Sequence, residues 1–175
     1  YNIPAALRLE ENLSLSLLKE SLTHLCQRHE ELRTRFISVN GEPQLEILSA
    51  ATPNVSYIDV RENDWSIAQI KDRLSATAKK TFNLETAPLL RVEVIQTEEN
   101  VHYILLVVHH IIADATSIEI LKRELVAVYT QFATQEGASL PPMPVQYVDY
   151  AAWQRELDTT QQLAYWKDQR QHDHP

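Results

Sequence analysis

The sequence predicts an α/β fold, a two-layer sandwich in which helices pack on a mixed, largely antiparallel sheet. Three observations predict it. Apolar residues recur at helical spacing in Leu15, Leu18, Leu22, Leu25, His29 and Leu32, and again in Ile118, Leu121, Leu125, Val128 and Phe132. Two strand-length segments, Leu89 to Gln96 and His102 to His109, flank the polar turn Thr97-Glu98-Glu99-Asn100. Strands and helices alternate along the chain, the order expected when helices cover a sheet.

From the N-terminus, Ile3 to Glu10 reads as a strand, and the leucine stripe after it as a helix of about five turns. Thr34 to Val39 and Gln44 to Leu48 flank Asn40-Gly41, a hairpin signal because both turn residues tolerate positive φ. A short strand is expected around Val55 to Ile58. Asp64 or Ser66 can then cap a second helix, with Ile67, Ile70, Leu74 and Ala78 on its apolar face. Within the later strand pair, His102 to His109 is apolar at both parities, as a central strand covered on both faces would be. Thr116 with Glu119 forms a capping-box pattern for the next helix, expected to end near Gln135, before Gly137. A proline-rich connector, Leu140 to Pro144, leads to a final helical stretch carrying Tyr147, Tyr150, Trp153, Tyr165 and Trp166.

Composition excludes several functions. With 175 residues, 44% of them hydrophobic, the chain can bury one ordinary core. Its net charge of −8 and lack of a basic stretch argue against nucleic acid as a partner. No apolar run approaches the roughly 20 residues of a membrane span. The single cysteine, Cys26, excludes an internal disulfide, fits a cytoplasmic location and reads as a small packed core residue. Two glycines, Gly41 and Gly137, cannot build a glycine-rich phosphate loop.

One constellation stands out: His109-His110-Ile111-Ile112-Ala113-Asp114, at the exit of the most apolar strand. Successive side chains on a strand point to opposite faces, so one imidazole faces reactants and the other is structural. Low dielectric at the strand's end favours neutral imidazole, able to accept a proton as a general base does. Asp114 reads as a buried anchor beside a helix start, with Arg33 as its cationic partner. The same spacing also fits two packed histidines and a plain helix cap. A metal site is disfavoured, because adjacent strand histidines diverge and no third ligand stands at a recognisable spacing. His29, on an apolar helix stripe, is expected to be a hydrogen-bonded structural histidine.

These residues resemble the condensation domains of non-ribosomal peptide synthetases, relatives of chloramphenicol acetyltransferase. Arg28-His29-Glu30-Glu31-Leu32-Arg33-Thr34-Arg35-Phe36 is similar to the family's RHExLRTxF pattern. Phe82-Asn83-Leu84, Pro88-Leu89-Leu90-Arg91 and His109 to Asp114 resemble the segment ending in HHxxxDG. Tyr147 to Trp153 resembles the YxDYAxW pattern. The resemblance covers nearly the whole chain and implies a chloramphenicol acetyltransferase-like half domain, the N-terminal lobe of a condensation domain over residues 1–175.

The resemblance implies amide-bond formation between two aminoacyl groups carried as thioesters on 4'-phosphopantetheine, with no cofactor bound by the chain itself. It makes His110 the catalytic residue, a base or a positioner of the attacking amine. His109, Asp114 and Arg33 become supporting residues, and Asp114 is structural through an ion pair with Arg33. Upstream and downstream peptidyl carrier domains, a C-terminal lobe and an adenylation domain of the same assembly line are the implied partners. The family's first motif would precede Tyr1, and its reaction tunnel lies between two lobes, so the isolated chain is expected to be inactive. Ala115 departs from the family's glycine, and it strains the loop if that position needs positive φ. A degenerate docking domain, an epimerisation domain and a coenzyme A-dependent HxxxD acyltransferase remain alternatives on sequence grounds.

Overall fold

A computed structural model describes residues 1–172 and divides them into two units, Tyr1–Pro142 and a second beginning at Met143. In the first unit, strands β1 (Asn2–Leu9), β4 (Asn54–Asp59), β5 (Leu90–Glu98) and β6 (Val101–His109) form one sheet in the order β1-β6-β5-β4. The β1–β6 and β6–β5 pairs are antiparallel and β4–β5 is parallel, which is the mixed sheet expected. Strands β2 (Thr34–Val39) and β3 (Glu42–Ile47) form a separate hairpin. Asn40 and Gly41 both take positive φ at its turn, as their residue types allow.

Helix α1 (Leu15–Arg28) is shorter than its leucine stripe suggests. The chain leaves the helix at His29 and makes a 3-10 turn over Glu30–Arg33, which keeps Leu32 on the buried side. Helix α2 (Ile67–Lys79) starts at Ser66, whose hydroxyl accepts the Gln69 N–H in a capping box. Helix α3 (Ala115–Ala133) ends two residues before Gln135, which takes positive φ.

Alternation along the strands divides the core. Leu90, Val92, Val94, Ile104, Leu106 and Val108 pack against Leu18, Leu22 and Leu25 of α1 and Ile118, Leu121, Leu125 and Val128 of α3. On the opposite face, α2 places Ile70 against Ile95 and Val60. Each such aliphatic side chain, fully buried, contributes roughly 1.5–3 kcal/mol. Strands β5 and β6 are therefore covered on both sides, and β6 delivers its last residue from the driest part of the molecule. Cys26 is buried in the α1 side of this core, where burial pushes its thiol up to about 12 and leaves it inert.

The second unit contains α4 (Tyr147–Glu156) and α5 (Thr160–His172), where a single helical stretch was expected. Tyr147, Tyr150 and Trp153 stack along α4 at centroid separations of 5.9 and 5.5 Å, with all three rings exposed. Among the described residues, no helix is long and apolar enough to cross a membrane.

Candidate active site

Strand β6 ends at His109, and the turn His110 to Ile112 leads into α3. Backbone and side-chain bonds fix that turn closely. The His109 N–H donates to Leu89 O at 3.0 Å, continuing the ladder to β5. The His110 N–H donates to Tyr1 O at 2.8 Å, on the other flank. The Ile111 N–H donates to His109 Nδ1 at 3.1 Å, and the Ile112 N–H to His109 O at 3.1 Å. Three successive amides of the turn are thus held, and the His110 side chain between them is exposed.

His109 has a different environment. It is half-buried and lines an open groove of about 720 Å³ with Asn2 and Pro4 of β1, Leu74 and Ala78 of α2, Phe82 and Leu105. Burial holds its pKa below the ordinary imidazole value, with His110 adding to the effect. Because Nδ1 accepts the Ile111 N–H, the neutral ring carries its proton on Nε2. The two imidazoles therefore sit in different surroundings, and His110 owes its direction to the turn, not to strand alternation.

Asp114 and Arg33 do not form the expected ion pair. Asp114 is exposed and is the N-cap of α3, accepting the Ser117 N–H at 2.8 Å and the Ser117 hydroxyl at 2.7 Å on Oδ1. These bonds hold its carboxyl below the usual carboxylate range. Arg33 turns inward instead, donating from Nε to Cys26 O at 2.9 Å and from a terminal nitrogen to Leu48 O. It therefore ties the end of α1 to the end of β3. A carboxylate supplied with short-range donors by its own helix start needs no distant cation. The box is Asp114 with Ser117, two residues earlier than the Thr116 and Glu119 pattern suggests. Ala115 is the first residue of α3, outside the left-handed region, so its Cβ costs the backbone nothing.

Two polar clusters brace the site. His29 Nε2 lies 2.6 Å from Glu124 Oε2, and Arg28 Nε donates to the same oxygen at 3.2 Å, joining α1 to α3. His29 is thus the hydrogen-bonded structural residue expected. Sequence reasoning missed the second cluster. Glu93, 1% exposed in the middle of β5, accepts two bonds from Arg73 at 3.0 and 2.7 Å and one from the Thr77 hydroxyl at 3.0 Å. Burial pushes its pKa up, but those bonds and one from Ser56 together hold it below the ordinary value. They pin α2, and with it one wall of the groove. Among the described residues, no group of acidic, histidine or cysteine side chains is arranged to hold a metal ion.

The profile of the Condensation domain family matches residues 1–175. The chain belongs to the condensation-domain family. A linear gramicidin synthase from Brevibacillus parabrevis is 42% identical over 177 residues, covering 95% of this chain and 3% of the synthase. Among solved structures, the X-domain from teicoplanin biosynthesis matches with a TM-score of 0.82 at 26% identity, over 95% of this chain and 38% of that one. The starter condensation domain of the rhizomide synthetase shares the fold with a TM-score of 0.85 at 16% identity, over 100% of this chain and 43% of that one. This condensation-domain chain thus spans a small part of the synthase it matches and under half of the solved structures it resembles. Its expected membership among non-ribosomal peptide synthetase domains and its chloramphenicol acetyltransferase-like fold are both borne out.

Proposed function

We propose that residues 1–175 are the N-terminal lobe of a condensation domain that joins two carrier-bound aminoacyl or peptidyl groups through an amide bond, with His110 at the reacting amine. The observation that carries this reading is the presentation of His110. Its backbone is held from both sides, while its imidazole is exposed at the end of a buried strand.

In the proposed reaction, the amine of the acceptor, itself a thioester on one 4'-phosphopantetheine arm, attacks the thioester carbonyl of the donor on another. The new C–N bond forms as the C–S bond breaks. One amine proton leaves through His110, and the donor's arm departs as a free thiol. An α-amine with a pKa near 8 is already partly neutral, so fixing its direction contributes much of the acceleration. The rigid turn suits that task. The described residues supply one wall of the chamber, a C-terminal lobe supplies the other, and the isolated chain is inactive. Upstream and downstream carrier domains and an adenylation domain are the partners of this reading.

The complete condensation domain, given donor and acceptor aminoacyl carriers, tests the reaction type. Dipeptidyl carrier should accumulate on the acceptor arm. Loss of α-deuterium from a single aminoacyl carrier, without dipeptide, would identify epimerisation and overturn the proposal. Carrier binding with neither product would identify a docking domain.

A further inference from the structure

The end of α2 is tied to the histidine turn by a side chain that does not touch it. Arg91, on β5, donates to Thr77 O at 3.2 Å, Lys80 O at 3.2 Å and Thr81 O at 3.1 Å. Asn2 of β1 donates to Ala78 O and Lys80 O at 2.8 Å each. Between them, the two side chains bond the Thr77 and Ala78 carbonyls at the helix C-terminus and the Lys80 and Thr81 carbonyls just beyond it. The segment leaving α2 is thereby fixed between β1 and β5.

Phe82 follows directly. The guanidinium carbon of Arg91 sits 4.3 Å from the centre of the Phe82 ring, and that ring meets the His109 imidazole edge-on, with centroids 6.1 Å apart at 85°. His109 in turn accepts the Ile111 N–H next to His110. Asn2 belongs to the same frame, because the residue before it supplies the carbonyl that holds the His110 N–H.

We infer that Arg91 is a positioning residue for His110, acting through Phe82 and the His109 ring. This rests on the reading of His110 as the group at the reacting amine. Arg91 contacts neither His109 nor His110 by hydrogen bond; it locks the ring that locks the acceptor of the turn. Loosening Phe82 frees His109 to rotate, and the Ile111 amide then loses its partner. The His110 imidazole swings relative to the amine, and misplacement of that kind costs turnover rather than substrate affinity.

The test compares Arg91→Ala, Arg91→Lys, Phe82→Leu and His110→Ala in the complete condensation domain. Each variant is assayed for kcat and KM with aminoacyl carriers, for Tm, and by ¹⁵N NMR of the His109 ring. Arg91→Ala is expected to lower kcat by about ten- to a hundredfold with KM within about twofold of the parent. His109 should lose the signature of an Nε2-protonated ring with a hydrogen-bonded Nδ1. Arg91→Lys, which keeps the cation over Phe82, should recover part of the loss. Phe82→Leu leaves the helix cap intact and should reproduce the kcat and NMR effects, which preserves the test if Arg91→Ala fails to fold. Unchanged kcat and an unchanged His109 signature in Phe82→Leu would overturn the positioning role while leaving His110 in place. Full activity in His110→Ala would instead remove the reading beneath it.

Discussion

Asp114 and Ser117 hold each other at the start of α3. The Asp114 carboxylate accepts the Ser117 N–H at 2.8 Å and its hydroxyl at 2.7 Å, while the Asp114 N–H donates to Ser117 Oγ at 3.2 Å. Asparagine can accept the same amide bond as aspartate, whereas alanine cannot. Asp114→Asn should therefore keep the parent Tm closely, and Asp114→Ala should lower it by the small amount typical of a lost cap. Thermal unfolding checks this, and a collapse of folding in both variants would restore the buried ion pair in place of the cap.

Arg73 and Glu93 dock α2 onto the sheet. Arg73→Ala strands a carboxylate that is 1% exposed, although the arginine side chain is itself 37% exposed. Removing one partner of a fully buried pair costs roughly 3–5 kcal/mol, and solvent screening at Arg73 reduces that to about 2 kcal/mol. Denaturant unfolding measures it. Thr77→Val, which removes one weaker donor to the same carboxylate, should cost less.

Stability should fall as the solution is acidified, in two stages. His102 and His109 have pKa values lowered by burial, so the unfolded chain binds more protons than the folded one below about pH 6.5. Their contribution is complete above that pH and is lost as protons bind below it. Glu93 and Glu124, also lowered, contribute fully above about pH 4.5 and lose that contribution as pH falls through their folded values. Tm measured between pH 8 and pH 3 should decline first gently, then steeply. His102→Gln should weaken the first stage, in which its buried and unpartnered Nδ1 takes part.

Leu106 stands in the centre of β6 with none of its surface exposed. Leu106→Ala leaves a cavity between the sheet and the α1–α3 layer, at a cost of about 2–5 kcal/mol. Urea unfolding is the measurement. Leu45, half exposed on β3, should tolerate the same change with little loss.

Local chemistry made much of the fold legible. Asn40-Gly41 marked its hairpin and Ser66 its helix start, because turn and cap residues act on their own backbone. The apolar run of β6 announced a strand covered on both faces. Glu93 was not legible, because Leu90-Arg91-Val92-Glu93-Val94 alternates like a strand with one wet face. Only the packing of α2 onto that face shows that both charged residues point into protein. The Arg33 partner was misplaced for a related reason: a motif aligns residues but does not say where a long side chain turns. The cap at Asp114 competed with an equally spaced pattern two residues later, and the shorter strand-to-helix turn decided between them. The histidine pair stood out in the sequence as a candidate site, while the contacts of Phe82 with Arg91 and His109 join segments distant in sequence and could not be read from it.

The most direct measurement is dipeptidyl-carrier formation by the complete condensation domain with His110→Ala, beside His109→Gln and the parent. His110→Ala should lose about a hundredfold or more in turnover while retaining the parent Tm, since the ring is exposed. Normal turnover by His110→Ala would contradict the assignment of that imidazole to the reacting amine.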